Sequence, residues 1–140
     1  MSTIHFGPGI RVGDTVMTLQ LPPVSRGMLA LYAGASGDHI PLHIDTDVAR
    51  RAGMPDVFAH GMLVAAWLGR MLTDAVGVAR VRELALRFTG ITHLYNRITC
   101  HAVLLELLEV DGEPRARLQV RAENQFGQAK VVGEAVVALA

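Results

Sequence analysis

The stretch "HGMLVAAWLGRMLTDAV", residues 60–76, limits the fold more than any other part of the chain. It is long enough for a helix and apolar nearly all round, with only Arg70, Thr73 and Asp74 breaking the surface. A helix with one apolar stripe can lie on a protein surface, whereas one that is apolar on most sides has to be enclosed. Arg70 interrupts the run well short of the roughly 20 apolar residues needed to cross a bilayer. The segment is therefore predicted to be a central helix around which the rest of the chain is built.

The material that can enclose it lies mainly downstream. In "RARLQVRAEN" the polar Arg115, Arg117, Gln119, Arg121 and Glu123 alternate with Ala116, Leu118, Val120 and Ala122, the period of a strand with one wet and one dry face. "DGEP" and "NQFGQ" separate neighbouring runs as turns. This predicts strands over Val81 to Phe88, Ile98 to Val110, Arg115 to Glu123 and Ala129 to Leu139. Upstream, Thr15 to Leu21 reads as a first strand, stopped by Pro22 and Pro23. Ser25 is placed to cap a short helix through "RGMLALYAGA", and Asp45 to cap a second, "TDVARRA", closed by Gly53. A strand, a buried helix and then an antiparallel meander make an α+β domain whose sheet curls around that helix. Such a sheet leaves edges that a second copy would protect, so a dimer is expected.

A chain of 140 residues suits one domain, 1–140, without a repeat or linker to divide it. Thirteen basic residues balance thirteen acidic ones, which gives no electrostatic reason to expect a nucleic acid or an anionic membrane as partner. Lys130 is the sole lysine, and the arginines are too scattered to mark a phosphate site. A single cysteine, Cys100, excludes an intrachain disulfide and reads as a small core residue in a reducing compartment. "MSTIHFGPGIRVGD" has neither a basic start nor an apolar core, so a cytoplasmic location is expected.

The chemistry-bearing stretch is "SGDHIPLH", residues 36–43. Asp38 follows the first helix and His43 follows the Pro41 turn, so the two side chains could face one cleft. A carboxylate and an imidazole that share a water can serve as base and acid; the alternative is a turn in which Asp38 caps backbone and His43 packs. A metal set would draw on His39 and His43 with Asp45 or His60, but Pro41 disfavours the continuous helix that four-spaced histidines need, and no metal is expected. At "AHGML", Gly61 lets another group approach a helix N-terminus whose N–H groups suit an oxyanion, although a glycine there can equally serve tight packing.

"YAGASGDHIPLHIDTDVARRAGMPDVFAHGML" resembles the signature of the MaoC-like dehydratases, the (R)-specific enoyl-CoA hydratases, approximately Y-A-x-x-S-G-D-x-N-P-x-H-x-D, then A-x-x-A-G, then a-H-G-M-L. The match runs from Tyr32 to Leu63, and "VVGEAVVALA" is similar to the family's last strand. The resemblance implies a hotdog fold, an antiparallel sheet wrapped around one long helix, in a dimer. It implies a catalytic water held by Asp38 and His43: Asp38 as base while water attacks C3 of a trans-2-enoyl thioester, His43 orienting the water and managing the proton destined for C2. The Gly61 N–H would meet the thioester oxygen as enolate charge develops. Ser36, Gly37 and Pro41 would shape the turn, Asp45 would cap a helix, and His60 would support the site by hydrogen bonding. No cofactor is implied, since coenzyme A, or acyl carrier protein in its place, belongs to the acyl substrate.

Two departures stand out. The family's asparagine before the proline is Ile40, an apolar branch in place of an amide. After Phe88, where relatives carry P-V-x-x-G-D, this chain reads "TGITHLYNRIT", with Tyr95 and Asn96 replacing the glycine and aspartate; His93, Tyr95 and Arg97 read as a polar loop. The expected activity is reversible hydration of an enoyl thioester to a (R)-3-hydroxyacyl thioester, in fatty acid metabolism. The alternatives are an acyl-CoA thioesterase, which shares the fold, and a non-catalytic or partner-dependent subunit of a heteromeric dehydratase, which Ile40 keeps open.

Overall fold

The computed structural model describes residues 1–139. Six strands, β1 (Ser2–Ile4), β2 (Thr15–Gln20), β3 (Val81–Phe88), β4 (Thr99–Val110), β5 (Glu113–Glu123) and β6 (Ala129–Ala138), form one sheet in the order β1-β2-β4-β5-β6-β3. Every neighbouring pair is antiparallel. Three helices, α1 (Arg26–Ser36), α2 (Thr46–Arg51) and α3 (Gly61–Val76), are accompanied by single 3-10 turns at Pro41–His43 and Val78–Arg80. This is the α+β architecture expected, with α3 as the central helix.

The period-2 pattern decides which way the sheet faces. Ala116, Leu118, Val120 and Ala122 of β5 are fully buried, as are Cys100, Ala102 and Leu104 of β4 and Ala135 and Val137 of β6. Against them lie Leu63, Val64, Trp67, Leu68, Met71 and Leu72 of α3. Removing this apolar area from water contributes about 25 cal/mol per Å² and is what holds the sheet around the helix. Cys100 is part of this core, and burial pushes its thiol up to about 12, so it behaves as a small apolar residue.

Three details differ from the sequence expectation. β1 precedes the segment read as the first strand; its three exposed residues pair with Met17 to Leu19 and carry no buried periodicity to betray them. β5 starts at Glu113 rather than Arg115, because Asp111 and Gly112 alone make the turn, both at positive φ (51° and 82°), in the two-residue form that matches strand twist. α3 is also less enclosed than its composition suggests. Met62 and Ala66 extend the Arg70 side of the helix into an exposed apolar stripe beside Leu84 and Phe88 of the edge strand β3.

Candidate active site

The segment between α1 and α3 is a chain of small, locally determined turns. Ser25 caps α1 by accepting the Met28 N–H, and the helix closes on Gly37 at φ 77°, a left-handed conformation that favours glycine. The Ser36 hydroxyl donates to the Tyr32 carbonyl at 2.7 Å and accepts the Asp38 N–H at 3.1 Å, so it carries the chain out of the helix. Asp38 then accepts the Ile40 N–H on its carboxylate at 3.3 Å. Pro41 opens the 3-10 turn, where its fixed φ suits a first position, and the turn delivers His43 back toward Asp38. Asp45 caps α2, accepting the N–H groups of Asp47 and Val48. Gly53 follows in the left-handed conformation, as its place after "TDVARRA" predicts.

His43 is oriented by a partner distant in sequence. Its Nδ1 lies 2.7 Å from the Phe58 carbonyl oxygen, and because a carbonyl can only accept, Nδ1 carries the proton and Nε2 presents a lone pair. His60, 1 % exposed, donates from Nε2 to the Asp38 carbonyl oxygen at 3.1 Å. Its Nδ1 is buried with no hydrogen-bond partner among the described residues. The rings of His43 and His60 stack with centroids 3.9 Å apart, and Tyr32 and Phe58 close edge-on against His60 and His43. Burial holds the His60 imidazole below its usual range, and the neighbouring His43 adds to that, against the opposing pull of the Asp38 carbonyl.

Asp38, His43 and His60 thus offer ligand or proton-transfer atoms within 4.8 Å of one another. The set based on His39 does not form: His39 is exposed and outside this group, and Asp45 is the helix cap. The peptide that follows His60 opens α3. The Ala59 N–H is tied to the Thr92 carbonyl at 2.8 Å and the Leu63 N–H to the His60 carbonyl at 3.1 Å, while the first N–H groups of a helix, here Gly61 and Met62, have no intrahelical acceptor. Gly61 also permits a close approach, since a Cβ there would sit 3.1 Å from the Phe88 ring.

His43 and Gly61 share a pocket of about 210 Å³, walled by Phe58, Val64, Phe88, Ile91, Thr92 and Val131. A larger depression of about 490 Å³ lies on the sheet around Gln119, Arg121 and Gly133, but it contains none of the grouped acid and base residues, so the chemistry singles out the smaller pocket. On the far side of the turn, Arg26 grips Asp56 with contacts of 2.6 and 3.0 Å, and Thr46 adds a third at 2.8 Å. These hydrogen bonds, with the Arg26 one the largest, hold the Asp56 carboxyl well below the usual carboxylate range and pin the segment leading to Phe58 against α1.

Several of these residues escape sequence reasoning. The Phe58 carbonyl, the His43–His60 stack and the walls supplied by Ile91, Thr92 and Val131 are products of tertiary packing, with no local signal. In the loop after β3, Tyr95 takes φ 67°, and the Asn96 side chain accepts the His93 N–H at 3.2 Å.

Residues 9–125 match the family described as the MaoC like domain. The fold superposes on the (R)-hydratase from A. caviae involved in PHA biosynthesis, with a TM-score of 0.80 at 26 % identity, covering 94 % of this chain and 98 % of that one. In sequence the chain is 30 % identical over 131 residues to the mitochondrial 3-hydroxyacyl-[acyl-carrier-protein] dehydratase of Arabidopsis thaliana, covering 78 % of each. It is 28 % identical over 109 residues, 76 % of its length, to the fatty acid synthase beta subunit TOXC of Cochliobolus carbonum, of which it spans only 5 %. With the family matched from residue 9 to 125 and the sheet wrapped around α3, the chain belongs to the MaoC-like domain family of hydratases and dehydratases and has the hotdog fold.

Proposed function

We propose that the protein adds water reversibly to a trans-2-enoyl thioester, giving a (R)-3-hydroxyacyl thioester, with Asp38 and His43 as the catalytic residues. The observation that carries this is the convergence of the Asp38 carboxylate and the His43 imidazole, whose ligand atoms lie within 4.8 Å of one another, with His43 lining the same pocket as the helix terminus at Gly61. A water between the two groups loses a proton to Asp38 as its oxygen bonds to C3. The C2=C3 electron pair moves toward the thioester, whose oxygen takes up charge facing the Gly61 N–H. As the enolate collapses, the proton taken from water returns to C2 through the same pair, so one water is consumed and no cofactor takes part. A thioesterase would release free thiol.

Coenzyme A is the proposed carrier. Acyl carrier protein is the second reading, favoured by the likeness to the Arabidopsis dehydratase, in which case the same groups run the elimination. The protein works as a homodimer in the cytoplasm. Its β3 edge and the groove between Met62, Ala65, Gly69, Leu84 and Phe88 offer the apolar face that a second copy would cover, and a heteromeric partner is the alternative. Among the described residues, no helix is long and apolar enough to cross a membrane.

The test is loss of the conjugated enoyl ultraviolet absorbance on adding enzyme to trans-2-enoyl-CoA, with product chirality determined and subunit composition measured on the active fraction. Hydration to the (R)-alcohol by a single polypeptide supports the proposal. Thiol release without hydration would support a thioesterase, and activity only with an added partner the heteromer.

A further inference from the structure

The sole lysine of the chain is buried next to the pocket of His43 and Gly61. Lys130 is 6 % exposed and stands at a bulge of β6. Ala122 faces Val131 and Glu123 faces Ala129, which leaves Lys130 without an opposite residue on β5. A bulge re-aims the side chain it carries. Here the Lys130 side chain lies against the segment that follows β3. The Thr89 N–H donates to the Lys130 carbonyl at 2.9 Å and the Thr89 hydroxyl to the Ala129 carbonyl at 3.1 Å, so that segment is fastened to the bulge. The next residue, Gly90, lines the pocket. A Cβ on Gly90 would stand 3.4 Å from Lys130 Cδ and 3.7 Å from Nζ, so a position without a side chain is what separates the amine from the pocket.

That amine is short of partners. A protonated lysine can only donate and seeks several acceptors. Among the described residues, Nζ has a single contact, 3.5 Å from Gln128 Oε1, and that oxygen already accepts the Asn124 amide at 2.9 Å. The acids on the adjoining strands are engaged elsewhere: Glu123 by Arg121 at 2.7 Å and His101 at 3.3 Å, Glu134 by Arg117 at 3.5 Å. Burial lowers the Lys130 pKa, as it does where nothing offsets the lost hydration of the charge. Buried charges in folded proteins are paired, and one left without a partner requires an explanation. We propose that the missing partner is a carboxylate on the acyl chain of the substrate, so that the enzyme acts on enoyl thioesters of dicarboxylic acids. This rests on the hydratase proposal and deepens it. No lysine or arginine lines the pocket, which leaves Lys130, behind Gly90, as the group that recognises the acid.

The experiment compares trans-glutaconyl-CoA, whose acyl chain ends in a carboxylate, with trans-2-pentenoyl-CoA, which has the same number of acyl carbons and no acid. Hydration is read as kcat/KM, and the calorimetric affinities of the saturated glutaryl-CoA and pentanoyl-CoA are measured alongside. The saturated pair reads recognition without chemistry, and coenzyme A is common to both ligands, so the ratio isolates the carboxylate. We expect the acid to be preferred about tenfold or more in both readouts. Lys130→Met, similar in length and uncharged, should bring the preference down to about threefold or less. The wild-type comparison stands even if that variant fails to fold. Pentanoyl-CoA bound as tightly as glutaryl-CoA by the wild type, or a preference undiminished in Lys130→Met, would overturn the inference. Absence of turnover with either enoyl thioester would sink the hydratase proposal, while the saturated pair would still decide whether Lys130 recognises a carboxylate.

Discussion

The imidazoles of His43 and His60 lie stacked, ring centroids 3.9 Å apart and planes 27° apart, one anchored to the Phe58 carbonyl and the other to the carbonyl of Asp38. The hydrogen bond from His60 ties the peptide that carries the carboxylate to the base of α3, while the stack fixes the face of the ring that His43 presents. In the proposed mechanism His60 is thus a positioning residue, acting through Asp38 and His43. Two positive charges at this separation in a largely buried site would repel strongly, which favours a neutral His60.

That neutrality ties stability to pH. The His60 pKa is lowered from 6.5 in the folded protein, so the unfolded chain takes up its proton at higher pH than the folded one. The His60 contribution is present above about pH 6.5 and is lost as pH falls from there through the depressed folded value. Denaturant midpoints at pH 7.5, 6.5 and 5.5 should fall more steeply for the wild type than for His60→Gln, whose amide can still donate to the Asp38 carbonyl. Equal slopes would remove His60 as the cause.

Asp38→Asn and His43→Ala should each lower kcat by about 10²–10⁴. The amide at position 38 can still accept the Ile40 N–H, so Asp38→Asn should melt close to the wild type. Because the proposed mechanism has the two groups act on one water, the double variant should be little worse than the worse single one. Multiplicative losses would show that they act in separate steps.

Gly61→Ala places a methyl 3.1 Å from the Phe88 ring. Relief requires the ring to swing away from the pocket, at a cost of about 1 kcal/mol in stability if overpacking behaves as it does elsewhere. Adding Phe88→Leu should recover most of that loss, as measured by equilibrium unfolding. No recovery would mean that position 61 is sensitive for reasons unrelated to Phe88.

The exposed stripe on α3 and the β3 edge make an assembly prediction. Leu84 is 40 % exposed and Met62 60 % exposed beside the same groove. In the proposed homodimer this face is the contact, so Leu84→Glu should shift the protein toward monomer in sedimentation velocity, because a carboxylate would be desolvated there. A variant that remains dimeric with wild-type affinity would place the interface on another face.

Much of this molecule is legible in single stretches. The run from His60 to Val76 reads as the central helix, the alternation from Arg115 to Glu123 as a one-faced strand, and Ser25, Asp45 and Gly53 as helix boundaries, since each signal is local and each local preference agrees with the final fold. The "SGDHIPLH" turn is of the same kind: Gly37, Pro41 and the Ser36 hydroxyl shape it from within a few residues. The N-terminal strand escapes detection because three exposed residues carry no pattern, and their pairing with β2 is decided by the partner strand.

The sequence by itself therefore determined which residue types stand ready for proton transfer, and that a helix would have to be enclosed by a sheet. Tertiary structure alone decided which lone pair His43 offers, that His60 rather than His39 joins Asp38 and His43, and which residues wall the pocket beside His43. The physical reason is range. Helix caps, turns and strand period act over a few neighbours, whereas the Phe58 carbonyl, Val131 and Phe88 reach the site only after burial of apolar surface has folded the sheet around α3.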